Sequence, residues 1–132
     1  MNIAPIAINL PRLLAEIEAL SLFSDAPPPA VTRILYTPVD LASRRYLQQL
    51  VEEAGFTWRV DAIGNTFIRW PGRDPSLPAV ATGSHCDAVP FAGKYDGVVG
   101  VLGGLEAMRS LKEAGVQPQR SLELILFTAE EL

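Results

Sequence analysis

The feature that most narrows the possible folds of this chain is a pair of short apolar runs, residues 78–82 and 122–127, on either side of a helical pattern. That pattern, Val98, Val101, Leu102, Leu105, Met108 and Leu111, ends near Gly115. Near-continuous apolar runs suit strands of a sheet covered on both faces. Upstream, residues 57–61 and 65–70 read as two short strands with Gly64-Asn65 in the turn between them, a hairpin. Two helices precede it. The first has Asn9 as its cap, Pro11 in its first turn and Leu10, Leu13, Leu14, Ile17 and Leu20 at helical spacing. The second opens on Thr37-Pro38-Val39-Asp40, presents Leu47, Leu50, Val51 and Ala54 on one face and stops at Gly55. Pro27, Pro28 and Pro29 break the chain between them. The order helix, helix, hairpin, strand, helix, strand indicates an α/β layer structure.

Length and charge exclude several function classes. With 132 residues the chain suffices for one domain and not for two ordinary ones. Its formal charge of −4 argues against nucleic acid, which would want a basic face. No apolar stretch approaches the ~20 residues of a membrane span. The lone Cys86 excludes an internal disulfide framework, and the start Met-Asn-Ile-Ala-Pro lacks a signal peptide's basic and apolar regions, so a cytoplasmic location is expected.

Chemistry concentrates where apolar runs end or glycine-rich ones begin: Ser84-His85-Cys86-Asp87, Lys94-Tyr95-Asp96-Gly97 and Thr128-Ala129-Glu130-Glu131. One imidazole and four carboxylates make a credible half of a divalent-metal site. His85 reads as a metal-ligating imidazole with Asp87 fixing its tautomer, against the plainer reading of a loop histidine beside an incidental acid. Asp96, just before a helix, can bridge two cations or simply cap the helix. Glu130 and Glu131 follow a strand expected to be buried. Adjacent residues of an extended segment point to opposite sides, so one could ligate while the other handles a proton, if the backbone bends after Phe127. Gly97, Gly100, Gly103 and Gly104 are expected to let a helix lie close on the sheet. They form no dinucleotide or P-loop fingerprint, so a nucleotide-binding module ranks last. Cys86, Trp58 and Trp70 are expected to be packing residues, and Lys94 and Arg120 to be solvated.

These stretches, together with Val31-Thr32-Arg33, Tyr36-Thr37 and Asp61-Ala62-Ile63-Gly64-Asn65, resemble the hydantoinase/carbamoylase-type amidases of the dinuclear metallopeptidase superfamily, with ureidoglycolate and allantoate amidohydrolases the nearest type. The resemblance implies a three-layer α/β/α zinc-peptidase-like catalytic domain, of which residues 1–132 form the N-terminal portion, with the dimerisation domain absent. It implies two divalent ions, Mn2+ or Zn2+, with His85, Asp96 and Glu131 as metal ligands, Asp96 bridging, Asp87 steadying His85 and Glu130 as general base. The implied reaction is hydrolysis of a linear amide or ureido bond in a small ureido or carbamoyl substrate, by a homodimer when full length. His85 is the sole histidine, and Leu132 stands where the family often has proline or glycine. The 132 residues alone are therefore expected to be inert. A chain truly ending at Leu132 would instead be a non-catalytic remnant that binds a metal weakly or a partner chain. Truncation is also expected to leave an exposed apolar edge beside the strand at 122–127.

Overall fold

The computed structural model describes residues 5–131; the expectations placed on residues 1–4 and on Leu132 lie outside them. In chain order the elements are α1 (Leu10–Ser21), β1 (Val31–Arg33), α2 (Pro38–Glu53), β2 (Thr57–Val60), β3 (Thr66–Trp70), β4 (Val80–His85), β5 (Ala88–Ala92), α3 (Val98–Glu113) and β6 (Leu122–Phe127). Both expected caps form. Asn9 accepts the Arg12 N–H at 3.1 Å, and Thr37 accepts that of Asp40 at 3.4 Å, with a proline in the first turn each time. Such side chains satisfy amides that have no partner inside the helix.

Four strands form one sheet in the order β2-β3-β6-β4. The hairpin β2–β3 and the pair β3–β6 are antiparallel, whereas β4 runs parallel to β6 from Val80↔Leu122 to His85↔Phe127. This corrects two expectations. The strand at 122–127 is not the last of the sheet: among the described residues β6 is paired on both sides, and the open ladders are those of β2 and of β4, where Val80 is 56% exposed. The apolar run at 78–82 is accordingly no buried strand, and its ladder carries on through Gly83 and Ser84 to His85. A second, two-stranded antiparallel sheet of β1 and β5 was not anticipated.

All three helices contribute to one core on one face of the sheet. Ile17 and Leu20 of α1, Leu47 and Val51 of α2, and Val101, Leu102 and Leu105 of α3 meet Ile68, Trp70, Leu124 and Leu126, with Trp58 packed alongside. The alternate residues of β3 and β6, among them Phe67, Arg69, Glu123 and Ile125, point to the other face. There Arg59 stacks 4.1 Å over the Phe67 ring and Arg69 pairs with Glu123 at 3.2 Å. The described residues thus supply a helical layer and the sheet of the expected α/β architecture. Close approach of α3 depends on two of its glycines: a Cβ at Gly100 would lie 2.5 Å from the Ser84 Cβ, and one at Gly104 2.7 Å from a Leu124 methyl. At Gly103 it would meet open space, so that glycine has no packing role.

The α1 stripe is narrower than its spacing predicts. Leu10 and Leu14 stay 50% and 48% exposed, because α1 rests on α3 through charged as well as apolar residues. Buried Glu106 of α3 accepts from Arg12 at 2.8 and 3.0 Å, from the Asn9 N–H at 2.9 Å, from Ser110 at 2.8 Å and from Arg109 at 3.0 Å. Arg109 also grips Glu16 at 2.5 and 2.7 Å. Burial alone would raise the Glu106 carboxyl, but these donors outweigh it and hold it near 2, down from 4.5. A carboxyl depressed in the folded state stabilises above its unfolded value and loses that stabilisation as pH falls. Denaturation should show stability falling as pH drops from 4.5 toward 2. Glu106→Gln should cost about 1–3 kcal/mol at neutral pH, since it weakens charge-assisted bonds to Arg12 and to buried Arg109, and should flatten the slope in that window.

Candidate metal centre

The parallel pairing of β4 and β6 places the ends of both strands side by side, at the carboxyl edge where open α/β sheets present their sites. His85, the last residue of β4, is buried. Its Nδ1 lies 3.1 Å from the Asp87 carbonyl oxygen and 3.4 Å from Asp87 Oδ1. Both neighbours are acceptors, which favours the Nδ1–H tautomer and turns the Nε2 lone pair outward. On that side Nε2 lies 3.7 Å from Asp96 Oδ1 and 3.5 Å from Glu130 Oε2. Ligand atoms of His85, Glu130 and Glu131 all lie within 4.8 Å of one another.

The chain bends after Phe127, as the adjacent glutamates require. Ala129 takes the left-handed φ of 59°, and the Glu131 N–H donates to Asp87 Oδ2 at 3.0 Å. The outcome differs from simple extended geometry: the bend turns both glutamates toward one imidazole instead of to opposite sides. Desolvation, with Asp96 and Glu130 adding and His85 opposing, pushes the Glu131 carboxyl above its ordinary value. Asp96 does not cap α3. The cap position is Gly97 and no side chain bonds there, so the Asp96 carboxylate is free to face His85. All five sequence-predicted residues therefore meet in one place. Cys86 is buried beside them, its thiol pushed up to about 11 by burial, which fits a packing role. Lys94 is at the surface as expected, where it pairs with Glu18 of α1.

The sequence profile of Peptidase family M28 matches residues 65–132, more than half of the chain. The chain belongs to peptidase family M28. It is 58% identical over 126 residues to a ureidoglycolate hydrolase of Arabidopsis thaliana, covering 96% of this chain and 26% of that protein. It is 43% identical to an N-carbamoyl-L-amino-acid amidohydrolase of Paenarthrobacter aurescens, covering 91% and 29%. A crystal structure of a hydantoinase/carbamoylase family amidase from Burkholderia ambifaria superposes with a TM-score of 0.93 at 37% identity, covering 97% of this chain and 32% of that one. The chain thus spans less than a third of the length of these relatives. The resemblance to hydantoinase/carbamoylase-type amidases extends through nearly all of the M28 chain.

The residues present fit the divalent metals that this family implies. One imidazole nitrogen and three carboxylates converge on a common space, a donor set that both manganese and zinc accept. Asp87 Oδ1 is buried without a hydrogen-bond partner and aimed at the ring whose other nitrogen faces that space. A carboxylate beside the far nitrogen of an imidazole is an arrangement that can orient the ring toward an ion.

Two residues of the site escaped the sequence reading. Arg33 is fully buried and donates to three main-chain oxygens, those of Cys86 at 2.7 Å, Leu20 at 2.6 Å and Phe23 at 2.9 Å. It ties the segment between His85 and Asp87 to the end of α1, and burial lowers its guanidinium from the ordinary value. Its only sequence signal was its place in Val31-Thr32-Arg33. Gly97, read as a packing glycine, in fact makes room for the imidazole. Its φ is 66°, and a Cβ there would lie 2.5 Å from His85 Nε2. Gly97→Ala should cost about 1–2 kcal/mol for the left-handed backbone and displace the ring. Isothermal titration with Mn2+ or Zn2+ should show metal binding weakened by tenfold or more, about 1.4 kcal/mol.

Proposed function

We propose that this chain carries part of the catalytic domain of a metal-dependent amidohydrolase that cleaves a linear amide or ureido C–N bond. The substrate class is a small ureido or carbamoyl compound such as ureidoglycolate, allantoate or an N-carbamoyl amino acid. The observation that carries this reading is the convergence of His85, Asp96, Glu130 and Glu131 on one space beside β4 and β6. The kinds of enzyme it is similar to support the reaction class. A lone buried thiol suits the reducing cytoplasm.

In this reading His85, Asp96 and Glu131 would hold two divalent ions, Mn2+ or Zn2+, and Asp96 would serve both. When bound, the metals supply Lewis acidity and a water of lowered pKa. Asp87 keeps Nδ1 protonated and so keeps Nε2 available as a ligand. Through its second oxygen it also fixes the Glu131 main chain. Glu130, its side chain more than half exposed, accepts a proton from the attacking water and returns it to the departing nitrogen. That transfer neutralises the leaving amine as the C–N bond breaks.

The intact native protein, supplied with Mn2+ or Zn2+, should hydrolyse at least one of the three substrates named, and a chelator should abolish turnover; no hydrolysis of any of them would defeat the proposal. Glu130→Gln should lower kcat by about 10²–10⁴-fold with little change in metal content. The isolated 132-residue polypeptide should show no turnover. His85 with Asp96, and Asp96 with Glu131, give two protein ligands per ion where catalytic zinc sites use about three.

A further inference from the structure

The stretch Asp61-Ala62-Ile63-Gly64-Asn65 has no part in the chemistry above, yet it ends against the site. Asp61 Oδ1 accepts the main-chain N–H groups of Ile63, Gly64 and Asn65 at 3.0, 3.0 and 2.9 Å, and Oδ2 accepts the Asn65 side-chain amide at 3.0 Å. With its NH2 committed to a carboxylate, the Asn65 amide can be oriented only one way, and its oxygen faces outward. That oxygen accepts the Thr128 N–H at 2.9 Å.

Thr128 is where β6 leaves the sheet. The last main-chain pair of β3 with β6 is Thr66↔Leu126, and the Asn65 side chain carries the bonding past it onto Thr128. The left-handed Ala129 follows, then Glu130 and Glu131. A non-glycine residue keeps such a conformation only when its surroundings hold it there. Here the bend is fastened at both ends, at Thr128 by Asn65 and at Glu131 by Asp87. The loop is also pressed against the bend. Gly64, at φ 101°, leaves no room for a side chain, since a Cβ would lie 2.8 Å from the Tyr36 hydroxyl and 3.2 Å from Thr128 Oγ1. Arg44 donates to the Gly64 carbonyl at 3.3 Å, and Tyr36 to that of Ile63.

We infer that Asp61 and Asn65 form a relay that sets the bend at residues 128–131, making Asn65 a positioning residue for Glu130 and Glu131. The hairpin itself does not need this bond, because its turn is closed by Asp61 and by the Asp61 N–H bond to the Asn65 carbonyl at 2.9 Å. The inference rests on the amidohydrolase reading for its consequence in catalysis, but not for its consequence in structure.

The test uses the intact native protein and two variants. Asn65→Asp keeps the shape but sets two carboxylates against each other. The double variant, Asp61→Asn with Asn65→Asp, exchanges the roles: the amide now stands at position 61 and donates, while the carboxylate at position 65 still accepts from Thr128. Amide hydrogen exchange of a peptide covering residues 128–131 is measured alongside kcat and KM. Asn65→Asp should speed exchange there with β3 and the centre of β6 unchanged, and lower kcat by about 10- to 100-fold with KM within about twofold. The double variant should restore both. Unchanged exchange at 128–131 in Asn65→Asp overturns the relay, whatever the activity. Faster exchange with kcat unchanged overturns the positioning role. If the wild type turns over no ureido or carbamoyl substrate, the function fails by itself, while exchange still decides whether the relay exists.

Discussion

The parallel pairing of β4 with β6 is the contact on which the rest depends. These strands are separated in sequence by β5 and α3, and their register sets His85 opposite Phe127. A slip of one residue would reverse the side-chain facing of a whole strand, sending Leu124 and Leu126 out of the core and turning the imidazole away. The register is held by packing as well as by the ladder. Gly100 sits on Ser84 and Gly104 on Leu124, so α3 can lie along the two strands only at one height. That height also fixes where the helix begins, and thus the approach of Asp96 to His85 Nε2. Core and site are therefore set by the same few contacts.

Much of this was legible because it is local. Caps at Asn9 and Thr37, the hairpin around Gly64-Asn65 and the apolar strand Leu122–Phe127 each declare themselves within a dozen residues. The five site residues were legible because each stands at the end of such an element. What failed was non-local. An apolar run does not reveal whether it will be central or at an edge, and β4 is an edge strand. The pairing of β1 with β5 joins segments more than fifty residues apart and has no periodic signal, because both strands are short and Pro90 interrupts the second. Leu10 and Leu14 fit a helical stripe but stay half exposed, and α1 meets α3 in part through Arg12 and Glu16, bonded to Glu106 and Arg109. Gly97 looked like its neighbours because its importance lies in an imidazole twelve positions away.

The two halves of the site are braced by different parts of the fold. Arg33 reaches from the small sheet to the Cys86 carbonyl and steadies the segment carrying His85 and Asp87. Asn65 reaches from the hairpin turn to Thr128 and steadies the segment carrying the glutamates. Asp87 joins the halves directly, with one oxygen toward His85 and the other on the Glu131 N–H. The bonds from Arg33 and Asn65 both end on main chain, so they restrain where the functional side chains start without touching the side chains themselves. The partly exposed Glu130 and Asp96 can then move toward a substrate or ion without disturbing the core.

Charge connects this arrangement to stability. Asp96, Glu130 and Glu131 gather around one nitrogen lone pair, and their mutual repulsion contributes to the raised Glu131 carboxyl. The left-handed Ala129 adds strain of about 1–3 kcal/mol. A domain of this size has total stability of only about 5–15 kcal/mol, so the site is a sizeable debit. It is tolerated because the opposing terms lie elsewhere: the apolar contacts of Leu102, Leu124 and Leu126, and the carboxyl of Glu106 satisfied from four residues. Those contacts are made beneath the sheet edge, away from the acids, and do not change when the acids are neutralised. On the proposed reading, a divalent cation held there would relieve this repulsion in the folded state, while the unfolded chain has no such cluster to relieve. By mass action, binding of such a cation would add to the stability of the fold.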